Sequence, residues 1–234
     1  YDAYGNEIER IHRGLDGQLI LGHFTDDTQD FAIRRQAYDS YGHLVEQSYF
    51  GADGKPMLGK EGYHRWHKRY DPQGHELEVA YFGLDNQPVY HRQKGYHLSR
   101  TAYDDYGNKI EGTSFGLQGE PIEDAFLNHR FRSRYDAWGN SIEETYFDRH
   151  DQPVLVKLGY QRVYYRYDIY GREVEYIHYG LEGKPVMSTF DDGQQNFAIR
   201  RRTYDPYGRV VSEILLDPDE KPLPKPKASK ATKP

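Results

Sequence analysis

Five glutamates occupy one place in a repeating text: Glu46, Glu78, Glu111, Glu143 and Glu175, at steps of 32, 33, 32 and 32 residues. Carboxylates in such a row suggest acid–base chemistry or cation binding. A retaining glycosidase pair needs its carboxyls ~5–5.5 Å apart, and an inverting pair ~6.5–9.5 Å. Equivalent places on successive β-hairpins are two strands apart, roughly 10 Å. That is too far for the first pair and slightly long for the second. It is also close to the Debye length, so mutual repulsion is mild. The row is expected to be a solvated or Arg-paired ladder, with a repeated ligand contact as the alternative. Its candidate partners are Arg35, His67, Arg100, Arg132, Tyr164 and Arg201, which share another place.

Histidines and acid-rich stretches are weighed in the same way. His64, His97 and His129 recur at steps of 33 and 32. One ion would need their nitrogens within ~2.0–2.1 Å, and columns roughly 10 Å apart do not converge on it. They are expected to be surface or cross-strand side chains. The stretch "FTDDTQDFAIRR" at 24–35 returns 166 residues later as "FDDGQQNFAIRR" at 190–201. Asp26, Asp27 and Asp30, or Asp191, Asp192 and Asn196, supply oxygens of the kind Ca²⁺ takes, without the spacing of an EF-hand loop. A protruding loop is expected at each place, once every five repeats. With no Cys, no Gly-rich phosphate loop, no nucleophile elbow and no two-His helix, the sequence points to no enzyme, no metal and no cofactor.

What positions these columns is a hexapeptide. "YDAYGN" at 1–6 returns in varied form at 38, 70, 103, 135, 167 and 204, at steps of 37, 32, 33, 32, 32 and 37. Six full repeats and the head of a seventh make one array. Asp favours the first place of a type I turn and Gly the left-handed conformation that follows it. Asp39 with Gly42, Asp71 with Gly74, Asp104 with Gly107, Asp136 with Gly139, Asp168 with Gly171 and Asp205 with Gly208 therefore read as hairpin turns with a bulge at Gly. A second turn follows, as in Asp53-Gly54-Lys55-Pro56, where Pro ends the ladder and Gly or Asn bends it. Each repeat is thus two main strands, with a short third piece at texts such as "PVL" or "PVM", and stacked neighbours bury its faces.

Between the turns an aliphatic such as Val45 stands beside each Glu, which reads as in/out alternation of period two. If Asp39 pairs with His43, the basic and acidic columns fall on opposite faces, and charge pairing must run between repeats. Tyr49, Tyr81 and Tyr146 are expected to line the exposed surface beside Glu and Arg.

Composition agrees with a thin, wet structure. Charged residues reach 29% and hydrophobic ones only 36%, while aromatics at 15% argue against disorder. No apolar run approaches a membrane span and no signal peptide is visible, and the chain opens inside a repeat, as expected for part of a longer chain. From 221 the text becomes "KPLPKPKASKATKP", with five Lys and no acid, leaving −11 on the repeats. That acidity speaks against nucleic acid as partner. The reading is a repeat array over 1–216 and a Pro/Lys-rich disordered tail or linker over 217–234.

Seven frames of Tyr-Asp-x-x-Gly followed by Asn, His or Arg, such as Tyr167-Asp168-Ile169-Tyr170-Gly171-Arg172, resemble the YD-repeat (rearrangement-hotspot) family across residues 1–216. The repeat is longer than that family's usual unit and alternates with elements such as Tyr49–Pro56, which are similar to hairpin repeats of cell-wall-binding modules. The resemblance implies β-hairpins that wind into a spiral shell, in bacterial secreted or surface proteins, with no catalytic residues. The expected fold is all-β, an open stacked sheet or solenoid of hairpins or a segment of such a shell. The expected role is a secreted or cell-surface scaffold. It would present Glu46, Glu78, Glu111, Glu143, Glu175, Arg100, Arg132, Tyr49, Tyr81 and Tyr146 to a glycan or protein. The alternatives are a shell segment enclosing a toxin or other polypeptide, and a carbohydrate-active β-solenoid enzyme.

Overall fold

A computed structural model describes residues 1–22, 30–190 and 195–224. Asp26, Asp27, Asp191 and Asp192, and the tail from 225 onward, lie outside the described residues. The fold is all-β. Strands β1 (Glu9–Ile11), β2 (Ile33–Tyr38), β3 (Leu44–Phe50), β4 (Arg65–Tyr70), β5 (Glu76–Phe82), β6 (Leu98–Tyr103) and β7 (Lys109–Phe115) are followed by β8 (Arg130–Tyr135), β9 (Ser141–Phe147), β10 (Arg162–Tyr167), β11 (Glu173–Tyr179), β12 (Ile199–Tyr204) and β13 (Val210–Leu216). Their order in the sheet is their order in the chain, with no closure into a barrel. The chain divides into two compact units, Tyr1–Arg130 and Phe131–Pro234, each described by itself below.

Each residue of the hexapeptide has a separate task. In the first unit, Gly42 donates its N–H to the Asp39 carbonyl and Asp39 donates to His43, which closes the turn with Gly42 at φ +88°. Gly74 and Gly107 do the same in the first unit, and Gly139, Gly171 and Gly208 in the second. Each donates to the carbonyl of its own Asp, at φ between +74° and +90°. The Asp39 carboxylate accepts from the backbone N–H groups of Tyr41 and His43, both at 2.9 Å. Its second oxygen lies 3.0 Å from the His43 ring. The same contact is made by Asn6, His75, Asn108, Asn140, Arg172 and Arg209 to their own Asp, so the sixth residue is always a partner of the second. The first residue ties repeats together. Tyr38, Tyr103, Tyr167 and Tyr204 donate their hydroxyls to the carbonyls of Glu7, Glu76, Ser141 and Glu173, each in the preceding repeat.

The second turn and the short third piece also form. Gly51 donates to Lys55 and Gly54 to Gly51, Phe50 bridges Pro56, and Met57 donates to Tyr49. Where Gly is missing, Asn86 and Asp151 take the left-handed conformation. The same bridge joins Leu216 to Pro222, so this geometry continues past 216. A third turn, unforeseen in the sequence, precedes β4, β6, β8 and β10: before β4, Gly59 donates to Tyr63 and Gly62 to Gly59. Its counterpart at 124–128 has Leu127 at φ +67°.

Aromatic clusters lie on the sheet face opposite the glutamate column, and in the second unit Ile177, Ile199 and Leu216 are also buried on the glutamate side. In the first unit Trp66, Val79 and Tyr81 are buried together, with Tyr63 and Tyr96 from the third turns against them. In the second, Val156, Tyr160 and Val163 do the same beneath Tyr146 and Tyr176.

Candidate functional site

The register corrects the expected alternation. The sequence reading has one irregularity per hairpin, at Gly42, Gly74, Gly107, Gly139, Gly171 and Gly208. The structure adds another, three residues beyond Gly42. Tyr38 pairs with Leu44 but Ala37 pairs with Glu46, so Val45 is skipped as a bulge. Four other hairpins shift at the equivalent place, beyond Gly74, Gly107, Gly171 and Gly208. A bulge adds one residue to one strand and moves everything beyond it to the other face. Glu46 therefore shares a face with Arg35 instead of opposing it. The second half of the expectation holds in part: Glu9 stands opposite Arg35, Glu78 opposite Arg100 and Glu175 opposite Arg201 of the next hairpin, while Arg69, Arg134 and Arg166 also meet a Glu of their own hairpin.

On that face every glutamate of the column lies within 4.0 Å of an arginine. Glu46 meets Arg65 at 2.6 Å, Glu78 meets Arg100 at 2.9 Å, and Glu111 lies 4.0 Å from Arg130. In the second unit Glu143 lies between Arg134 and Arg162, and Glu175 between Arg166 and Arg201. Partial burial pushes the Glu175 carboxyl up, but hydrogen bonds from Arg201 and Arg166 outweigh it and hold it below the usual carboxylate range. The guanidinium groups also stack on the column four residues after each Glu. Arg35 lies 4.6 Å from the Phe50 ring centre, Arg65 4.3 Å from Phe82, Arg100 4.9 Å from Phe115 and Arg132 5.7 Å from Phe147. Such pairs contribute ~0.5–1 kcal/mol each at exposed sites. A groove of about 600 Å³ opens on this face between Arg35, Glu46, Ser48, Phe50, His64 and Arg65.

His64, His97 and His129 are buried, not on the surface. Each places Nδ1 2.7 Å from a backbone carbonyl, of Tyr49, Tyr81 and Ser114 respectively, and sets its ring edge-on to Phe50, Phe82 or Phe115. Burial pushes the His64 imidazole below its ordinary pKa. They are strand-start anchors, each tied to the preceding repeat.

The expected exposure of Tyr49 and Tyr81 is also corrected. They are 8% and 4% exposed, packed with Tyr63 into the aromatic layer, and Tyr146 is half-buried against Tyr160. They alternate with the Glu column and so face the core. Exposed tyrosines lie instead at the hairpin tips, at the third place of five of the seven Asp turns, as in Tyr4, Tyr41 and Tyr106. Between the tips of β8–β9 and β10–β11 a second cleft, about 280 Å³, is lined by Trp138, Asn140, Asp168, Ile169 and Tyr170. Among the described residues no cluster of three His, Asp or Glu is arranged to hold a metal ion, and no helix is long and apolar enough to cross a membrane.

No protein-family model matches the chain, and no curated protein matches its sequence. Solved structures do. A mutant Tc holotoxin pore of Photorhabdus luminescens is 13% identical over 90% of this chain, with a TM-score of 0.35. The TcdB2-TccC3 structure is 13% identical over 88%, with a TM-score of 0.33. TcdB2-TccC3 without its hypervariable C-terminal region is 17% identical over 94%, with a TM-score of 0.26. The chain spans 12–13% of the length of those chains.

Proposed function

We propose that these repeats are a non-catalytic wall segment of a longer YD-type hairpin shell, in a secreted or surface bacterial protein, with an enclosed polypeptide as partner. The observation that carries this reading is the unlike treatment of the two sheet faces. One is sealed by aromatic side chains. The other carries the Glu column, in which every Glu meets an Arg of its own or a neighbouring hairpin, beside a buried patch of Ile177, Ile199 and Leu216. A wall needs both properties, and its pattern must extend by simple repetition, as nearest-neighbour arrays do. The wall proposal is tested on the longest natural chain containing these repeats. Limited proteolysis should spare a segment outside the repeats until the repeats themselves unfold. Digestion of that segment at the rate of the isolated peptide would sink the reading.

The second reading is a module that presents its charged columns to a glycan or protein. The groove between Arg35 and Arg65 supports it, since a charged, aromatic-walled groove suits a polar ligand. Substituting Arg35 and Arg65 by Gln should then abolish ligand capture without unfolding the sheet.

A further inference from the structure

The hairpin tips carry aromatic side chains that the turn does not require. Six of the seven frames have Tyr or Trp at the third place of the turn, and the seventh has Gln73. Gln73 closes the same turn: Gly74 donates to the Asp71 carbonyl at 3.0 Å, and the Gln73 N–H donates to the Asp71 carboxylate at 3.0 Å. An aromatic ring there is therefore not needed to close the turn, yet Trp138 is 86% exposed and Tyr170 is 74% exposed. Exposed, rigid aromatics of this kind are the usual anchors of recognition surfaces.

The cleft between Trp138 and Tyr170 adds polar capacity to these rings. The Trp138 indole N–H, the Tyr170 hydroxyl and the Asn140 carbonyl oxygen make no hydrogen bond among the described residues. Asp168, by contrast, is spent on its own turn and on Arg172, which also covers one face of the Tyr170 ring at 4.8 Å. The cleft thus offers two donors, one acceptor and two apolar walls. A polyproline II segment matches that list, because its backbone carbonyls are unpaired and it docks in aromatic-lined grooves at low entropic cost. Charge narrows the choice. Residues 131–220 hold sixteen acidic and twelve basic residues, a net of −4, whereas "KPLPKPKASKATKP" at 221–234 carries five Lys, four Pro and no acid.

We propose that the cleft between Trp138 and Tyr170 is a docking site for an extended, lysine-bearing proline-rich polypeptide segment. The inference does not depend on the wall reading. The chain has two tryptophans, buried Trp66 and exposed Trp138, so their indole N–H resonances report on the site and on the fold separately. The probe is a synthetic KPLPKPKASKATKP peptide, added to the full chain carrying Lys225→Ser, Pro226→Gly and Lys227→Ser, which removes competition from its own copy. Expected is a saturable shift of the Trp138 resonance with Trp66 unmoved, weakened by about tenfold or more in Tyr170→Ala and weakened by added salt. An equal shift from the peptide with Gly in place of every Pro would reduce the effect to charge and overturn the proposal. So would a shift produced by a neutral β-linked oligosaccharide but not by the peptide, or no shift from either.

Discussion

Residues 7–35 and 173–201 carry nearly one text, and they differ in how deeply it is buried. In each, a Glu and an Arg form the same ion pair: Glu7 with Arg34 at 2.5 Å, and Glu173 with Arg200 at 2.8 Å. Each keeps a buried Phe-Ala-Ile run, at 31–33 and at 197–199. Yet β1 is three exposed residues, while β11 is seven residues that end in a buried core. His12 is half-buried and stacks on Phe31. His178 is fully buried, stacked on Tyr160, with Nε2 3.1 Å from the Tyr176 hydroxyl and Nδ1 3.2 Å from the Phe197 carbonyl. The reason is pairing: β11 lies between β10 and β12, whereas among the described residues β1 pairs with β2 alone. The text sets the local contacts, and the neighbouring hairpin supplies the burial.

The comparison is broken most directly by alanine at the two histidines. His178→Ala removes a fully buried ring and leaves a cavity, which should cost ~2–4 kcal/mol, while the Phe197 carbonyl keeps its hydrogen bonds from Ser188. His12→Ala, which removes a half-buried ring stacked on Phe31 and its hydrogen bond to the Phe31 carbonyl, should cost less, about 1 kcal/mol. Amide exchange at Ile199 and at Ile11 measures each locally. Equal effects would mean that the neighbouring strand is not what stabilises the second copy.

Acid gives the next largest effect. Burial, reinforced by the Arg200 charge, pushes the His178 imidazole down to about 4. Its folded pKa lies below the unfolded value near 6.5, so the unfolded chain binds the proton first. Stability is therefore lost as pH falls from about 6.5 toward 4, at up to ~1.4 kcal/mol per pH unit. The turn aspartates act lower. Hydrogen bonds from the Asn108 and Asn140 side chains hold Asp104 and Asp136 below their ordinary range, so their contribution disappears only as pH falls through those lowered values. His178→Tyr, which puts in the residue found at 49, 81 and 146, should flatten the upper window and leave the lower one unchanged. Urea unfolding between pH 7 and 3 decides it, and an unchanged slope above pH 4 would refute the assignment to His178.

How legible these features were depends on how local their causes are. The Asp turns were readable because Asp, Gly and the turn hydrogen bonds lie within five residues. The donor at the sixth place is legible too, since Asn, His and Arg share that capacity. The bulge at Val45 was not readable: an aliphatic beside a Glu looks the same whether it alternates or is skipped, and the hairpin register decides. That single shift determined which columns share a face. Tyr49 and Tyr81 do not depend on it: they stand three residues after their Glu, beyond the bulge, so period-two alternation alone puts them opposite the Glu column. The third turn was hidden where Leu127 stands in place of Gly.

The clamp between repeats offers a finer test of the same contrast. Tyr204 donates to the Glu173 carbonyl at 2.8 Å and Tyr38 to the Glu7 carbonyl at 3.2 Å. Tyr204→Phe should cost about 1 kcal/mol, a typical net value for one hydrogen bond, and Tyr38→Phe less, because its acceptor belongs to the shorter, more exposed hairpin. Chemical denaturation of the two variants gives the order, and the reverse order would place the weaker clamp in the second copy.

The smallest effect approaches the contrast from the side of the backbone. Leu127 holds φ +67° where three other repeats use Gly62, Gly95 or Gly159 at φ +77° to +87°. A left-handed non-glycine residue costs roughly 1–2 kcal/mol, while Gly adds about 0.5–1 kcal/mol of unfolded-state entropy. The Leu127 side chain is half-exposed, so little burial is lost on removing it. Leu127→Gly should therefore stabilise the first unit by no more than about 1 kcal/mol. A gain of that size shows that one turn can be strained without disturbing the array, because the hairpins on either side hold it in place. A loss would show instead that the Leu127 side chain contributes contacts worth more than the strain, and burial by neighbours would then extend out to the third turns.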